Sequence, residues 1–211
     1  MRRLPVYLLI DTSGSMFGEP IQSVNVGLQA MMASLRQDPH ALESVYLSII
    51  TFDKEVNLIF GLTELAQVQL PEITTPQSGP TFLGMALKMV RERVITEVIE
   101  SNGSDKGDWM PLLFIMTDGK PSDLQEFKEA VPLLRDMKFG SIVACAAGPK
   151  AKEEFLQELT ENVVSLDTTD AYAFQSFFKW VSESVSIGNR SIGASDDLAL
   201  PPPPPEINLV I

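Results

Sequence analysis

Asp11, Ser13 and Ser15 occupy alternate positions directly after the apolar run Tyr7-Leu8-Leu9-Ile10. Short oxygen-bearing side chains at that spacing, at the end of a buried strand, suit either a plain turn or half of a site for a hard cation. Two further segments carry the same chemistry. Thr81 ends the stretch Ser78-Gly79-Pro80-Thr81, and Thr117-Asp118-Gly119 follows another apolar run. Brought together, the three segments supply hydroxyls and carboxylates with no imidazole and no thiol. That donor set selects a hard dication, Mg²⁺ first, with Mn²⁺ or Ca²⁺ as the other candidates. Few carboxylates and several hydroxyls do not neutralise such an ion, so the site keeps water and one position open to an outside oxygen. Gly14, Gly79 and Gly119 are expected to let the backbone turn tightly around it. Taken singly, Asp11 and Asp118 serve equally well as turn or helix caps. Thr117 is expected to bond backbone rather than metal. Asp53 and Asp123 fit as acids behind the site, or simply as parts of a sheet-edge turn and a helix start.

Positioning these loops requires strands that end at one edge. Short apolar runs at 4–10, 45–52, 111–117, 140–147 and 163–166 read as strands buried on both faces, the pattern of a parallel sheet. Residues 56–60 follow the second run so closely that only a hairpin joins them, which makes one antiparallel edge strand. Between the strands lie segments of helical period. Ile21, Val24, Leu28, Met31, Met32 and Leu35 share a face, with Pro20 in the first turn. Residues 82–98 are apolar over a wide arc, Ser122 with Gln125 makes a capping-box pattern for a helix ending near Lys138, and 151–160 and 171–185 supply two more. The fold class expected is α/β, doubly wound, with a mostly parallel central sheet, one antiparallel edge strand and helices on both faces. Ligands of such sheets bind past the carboxyl ends of the strands, where the strand order reverses.

The 211 residues are 45% hydrophobic, enough for one sizeable core. A domain is expected over 1–187 and an extended Pro-rich tail over 188–211. The net charge of −12 argues against nucleic acid or an anionic membrane as partner. Arg2-Arg3 and Arg91 with Arg93 read as solvated pairs. The single cysteine, Cys145, excludes an internal disulfide and reads as a small core residue. His40, the only histidine, is expected at the surface. The apolar stretch after Arg3 stops at Asp11, too short for a signal peptide, and no run approaches the ~20 apolar residues of a membrane span. A cytoplasmic location is expected. In the tail, Pro201 to Pro205 form a stiff spacer, and Ile207, Leu209 and Ile211 alternate with Asn208 and Val210. That end is expected to lie along a sheet edge or in an apolar groove of the same molecule or a neighbour, and to be able to mediate contacts.

Asp11-x-Ser13-x-Ser15, then Thr81, then Asp118 in a Thr-Asp-Gly turn resembles the metal-ion-dependent adhesion site of von Willebrand factor A (vWA) domains, over about residues 4–185. Within that family, Asp-Thr-Ser-Gly-Ser-Met, Ser-Gly-Pro-Thr-Phe-Leu-Gly and Met-Thr-Asp-Gly-Lys-Pro-Ser-Asp look most like the stand-alone TerY-type domains of bacterial tellurite-resistance gene clusters. The resemblance implies that Ser13, Ser15 and Thr81 coordinate the ion directly and that Asp11 and Asp118 act mainly through water. It also implies that a partner's Asp or Glu fills the open position. Pro80 departs from the second glycine of many members and stiffens that loop. The TerY likeness further implies an adaptor in a stress-response assembly, with kinase-like and PP2C-type phosphatase proteins as partners. The alternative is a Mg²⁺-dependent phosphohydrolase with Asp11 as nucleophile. That chemistry commonly wants a second acid two residues on, where Ser13 stands, and a phosphate-cradling lysine, for which Lys120 is available. An interaction module rather than an enzyme is expected.

Overall fold

The computed structural model describes residues 2–102, 106–191 and 200–210. Seven strands form one sheet in the order β3-β2-β1-β4-β5-β6-β7. They are β1 (Leu4–Asp11), β2 (Val45–Phe52), β3 (Val56–Glu64), β4 (Leu112–Thr117), β5 (Ser141–Ala147), β6 (Asn162–Leu166) and β7 (Asn208–Leu209). The inner five are parallel, because every return between them crosses through a helix. β3 is antiparallel to β2, and β7 is antiparallel to β6. The sheet therefore has two antiparallel edges where the sequence pointed to one. The second comes from the tail, whose alternation at 207–211 pointed to a sheet edge or a groove; the edge it takes is β6 of the same chain.

The period-two alternation of the strands sorts side chains into two cores. Leu4, Val6, Leu8 and Ile10 of β1 face α1 (Glu19–Gln37), α2 (Pro39–Ser44) and α6 (Ala171–Ser191). Tyr7 and Leu9 face α3 (Leu83–Glu97), α4 (Leu124–Arg135) and α5 (Glu153–Leu159). All eight residues of β1 are buried, as expected of a strand sandwiched between helical layers. Cys145 is fully buried in the first core, and burial pushes its thiol well above the ordinary range. No helix among the described residues is long and apolar enough to cross a membrane.

His40 is at the surface as expected, one short helix goes unforeseen, and two local expectations give way. α2 starts on Pro39 with the Asp38 side chain accepting from the His40 N–H, so His40 opens a helix and is exposed. Ser122 does not cap α4: the N-cap position is Asp123, and the Ser122 hydroxyl accepts from Thr81 N–H instead. Arg2 and Arg3 are not a solvated pair. Arg2 lies 3.6 Å over the Trp109 ring, and Arg3 holds the buried Asp108 carboxylate through Nε and a second nitrogen at 2.8 and 2.5 Å. They fasten the segment before β4 to the start of β1.

The tail lies on its own chain. Trp180 Nε1–H donates to Pro201 O at 3.0 Å, Ile207 is buried, and Val210 N–H donates to Val163 O. Ile211 and 192–199, the acidic part of the tail, fall outside the described residues.

Candidate metal centre

β1 is flanked by β2 on one side and β4 on the other, so the strand order reverses between β1 and β4. The crevice that this leaves at the carboxyl edge receives the loops after both strands. Parallel pairing sets Ile10 opposite Met116, which brings Asp11 beside Thr117. Thr117 Oγ1–H donates to Asp11 Oδ2 at 2.5 Å, and Ser13 N–H donates to Asp11 Oδ1 at 2.7 Å. Gly119 N–H donates in turn to Thr117 Oγ1, closing the β4 turn over the acid. Thr117 therefore bonds a carboxylate as well as backbone.

The next layer outward is made of hydroxyls. Ser13 Oγ lies 3.3 Å from Ser15 Oγ, and the Ser15 hydroxyl donates to Asp118 Oδ1 at 2.7 Å. Thr81 approaches from the opposite loop, its Oγ1 lying 3.2 Å from where a Cβ on Gly119 would stand. The structure thus brings together all five residues picked out in the sequence, Asp11, Ser13, Ser15, Thr81 and Asp118. Burial is graded: Asp11 has no exposed surface, Ser13, Thr81 and Asp118 are buried, and Ser15 is exposed at the mouth.

The three loops are tied to each other by backbone. Gly14 N–H donates to Gly79 O at 3.3 Å, Phe82 N–H to Asp53 O at 2.9 Å and Ser122 N–H to Thr81 O at 2.8 Å. The glycines act here through size rather than through tight turns, since the two positive-φ glycines among the described residues, Gly18 and Gly148, lie elsewhere. A Cβ at Gly14 would stand 2.6 Å from Ser78 Cα, so only glycine admits this approach. Gly79 has room around it and contributes its carbonyl.

The acids behind the site have separate duties. Asp53 accepts from the Thr12 hydroxyl at 3.2 Å and from Glu55 N–H, so it braces the first loop against the β2–β3 turn. Asp123 accepts from Gly84 N–H at 3.1 Å and Met85 N–H at 2.8 Å, capping α3 from a different element. The run Thr81-Phe82-Leu83-Gly84 gives no hint of that cap, because the capping side chain comes from 39 residues away.

Electrostatics favour a cation. Burial raises the Asp11 carboxyl to about 6 against the hydrogen bonds from Ser13 and Thr117, with Asp118 adding to the rise. Burial also raises Asp118, opposed by the Ser15 hydroxyl and by Lys150. Among the described residues no basic side chain bonds either carboxylate, and no three His, Cys, Asp or Glu side chains group as metal ligands. A cation here must therefore draw on hydroxyls together with the two acids, and the donor chemistry fits Mg²⁺, Mn²⁺ or a similar dication.

Comparison with known proteins agrees with this fold. The family model of the von Willebrand factor type A domain matches residues 6–180. No curated protein matches significantly. Among solved structures, proximal thread matrix protein 1 from the mussel byssus, in a form with a zinc-occupied MIDAS motif, superposes with TM-score 0.60 at 16% identity over 88% of this chain and 48% of its own. The von Willebrand factor type A protein from Catenulispora acidiphila gives TM-score 0.65 at 12% identity over 88% of this chain and 43% of its own. The ArnB paralog VWA2 from Sulfolobus acidocaldarius gives 0.61 at 17% identity, over 87% and 45%. The chain spans a little less than half of each of these proteins, and at such identities the likeness is one of fold. With the matched model covering most of its length, the chain belongs to the von Willebrand factor type A domain family.

Proposed function

We propose that this chain is a metal-dependent protein-binding adaptor, in which Mg²⁺ at the β1–β4 crevice is completed by an Asp or Glu of a partner protein. The observation that carries the reading is the convergence of three hydroxyls, from Ser13, Ser15 and Thr81, in front of two buried acids. Ser13, Ser15 and Thr81 would hold the ion, with Asp11 and Asp118 acting mainly through water. The ion would supply one fixed positive point on a chain of net charge −12. The chain's own part is to fix the hydroxyls: Asp11 orients Ser13 through its N–H, and Asp118 orients Ser15 through its hydroxyl. The zinc-occupied motif of the mussel protein is consistent with a dication in such a fold.

The TerY-like motifs support a place in a bacterial tellurite-resistance or stress-response assembly in the cytoplasm, with kinase-like and PP2C-type phosphatase partners. Against the phosphohydrolase alternative, in which Asp11 is the nucleophile, both Asp11 oxygens are engaged and the residue has no exposed surface from which to attack a phosphoryl group.

The test is thermal unfolding in Mg²⁺, Mn²⁺ and EDTA, paired with pull-downs from native cells under the same conditions. Stabilisation of roughly 2.7 kcal/mol is expected at a hundredfold excess of ion over its dissociation constant. Asp118→Ala should abolish the response while the protein stays folded. Melting indifferent to all three conditions would refute the reading.

A further inference from the structure

A cleft of about 800 Å³ lies between the β2–β3 turn and the first turns of α3, and it meets the site's loops through Phe82, the residue after Thr81. Its apolar surface comes from Val56, Phe82, Met85 and Met89. Phe82 directly follows Thr81, and its N–H is bonded to Asp53 O, so the cleft wall and the hydroxyl loop are one piece. Met85 is 45% exposed and is fixed at the cleft by the bond from its N–H to Asp123. Leu124, next to that aspartate, is 44% exposed, and Phe17, beyond the first loop, is 52% exposed. Exposed apolar side chains thus stand on the elements that carry the site's loops, an arrangement typical of a surface meant to be covered.

The rim of the cleft is acidic. Glu55, Asp123 and Glu126 line it along with Glu92, against Lys54 and Lys88. Lys88 is already held between Glu126 and Glu129, and Lys54 makes only a loose 3.9 Å pair with Glu55. Among the described residues no basic side chain pairs with Glu92. Along the cleft, four carboxylates therefore stand against two lysines, so the lining is net negative. A run of acids would be repelled on either side of the one carboxylate that the ion accepts.

We infer that the cleft selects the partner: a protein segment in which a single acidic residue is followed by an apolar and then a basic residue. The acid completes the ion, the apolar side chain enters between Phe82, Met85 and Met89, and the basic head meets Glu92 and Glu55. Phe82 is next to Thr81 in the chain, and an extended segment advances roughly 3.4 Å per residue, so a segment whose acid sits at the ion brings a neighbouring side chain toward the cleft wall. This rests on the metal-completed reading of the site.

The probes are three blocked tetrapeptides, Ala-Asp-Leu-Lys, Ala-Asp-Ala-Ala and Ala-Asp-Asp-Asp, titrated into the full chain in saturating Mg²⁺ and in EDTA. Binding is followed by the methionine methyl resonances. Ala-Asp-Leu-Lys should bind in Mg²⁺ roughly tenfold tighter than Ala-Asp-Ala-Ala, the size that burying a leucine side chain gives, and Ala-Asp-Asp-Asp should bind most weakly. Met85→Ala and Glu92→Gln should each shrink the advantage of the first probe without changing Mg²⁺ stabilisation or the affinity for the second. Equal affinities for the first two probes, alongside a normal Mg²⁺ response, would overturn the cleft and leave the metal reading standing. Absence of any Mg²⁺ response would overturn both. Mg²⁺-dependent self-association that excludes the probes would assign the cleft to a second copy and likewise overturn the proposal.

Discussion

Asp11 is held in place by two hydrogen bonds, yet burial still keeps its carboxyl raised to about 6. Without metal, its ionisation therefore opposes folding. The folded value lies above the unfolded one of 3.8, so the contribution to stability is full below about pH 4 and is lost as pH rises through about 6. In EDTA the protein should gain stability from this group between pH 7 and pH 5, on the order of 1 kcal/mol. Saturating Mg²⁺ competes with the proton and should reverse the trend, its stabilisation shrinking as pH falls through the same window. Melting curves at the two pH values, with and without Mg²⁺, check both signs, and a metal response equal at both would refute the competition. Thr117→Val is the companion test. It removes the 2.5 Å bond to Asp11 and the acceptor for Gly119 N–H while keeping the shape, and should weaken the Mg²⁺ response more than it lowers Tm in EDTA.

The cap on α3 links an element's stability to the site. Asp123 satisfies two N–H groups that the helix cannot satisfy itself, and the neighbouring Ser122 exchanges two hydrogen bonds with Thr81. Asp123→Ala should cost roughly 1–2 kcal/mol in denaturant unfolding. It should also blunt Mg²⁺ binding through Thr81, whereas Asp38→Ala at α2 should cost stability alone. Equal Mg²⁺ responses in the two variants would show that the cap is not coupled to the site. These contacts also mark what the sequence carries at the level of elements. The five parallel strands were legible because burial on both faces makes them continuous apolar runs between polar loops. The five site residues were legible because strand ends in this fold class meet at one edge. The Asp123 cap, the Arg3–Asp108 bond and the bracing role of Asp53 were not, since each joins segments distant in sequence through side chains whose local context fits a commonplace role equally well. α2 was missed for a different reason: six residues are too few to show a helical period, although Asp38-Pro39 is a sound helix start.

On the scale of the whole molecule, the tail closes what would otherwise be an open edge at β6. Only two residues pair there, and the attachment rests on buried Ile207, the Val210–Val163 bond and the Trp180–Pro201 bond, with Tyr172 and Glu206 joined at the surface. Such a short strand is a low-stability unit within the fold. The metal centre sits at the β1–β4 crevice, with β4 and β5 standing between it and β6. Because each strand bonds only to its neighbours, undocking β7 leaves every contact of the site in place. Ile207→Asp puts a charge where the chain has 4% exposure and should release the segment. Amide exchange at Val210 should then become fast and Trp180 should gain solvent exposure, while Mg²⁺ stabilisation stays unchanged. A freed β6 edge presents unpaired backbone groups, so the variant should also self-associate as concentration rises. Protected exchange at Val210 in the variant would show that the prolines and Trp180 hold the segment without the isoleucine. Loss of the Mg²⁺ response would instead show that the far edge of the sheet and the metal centre are coupled.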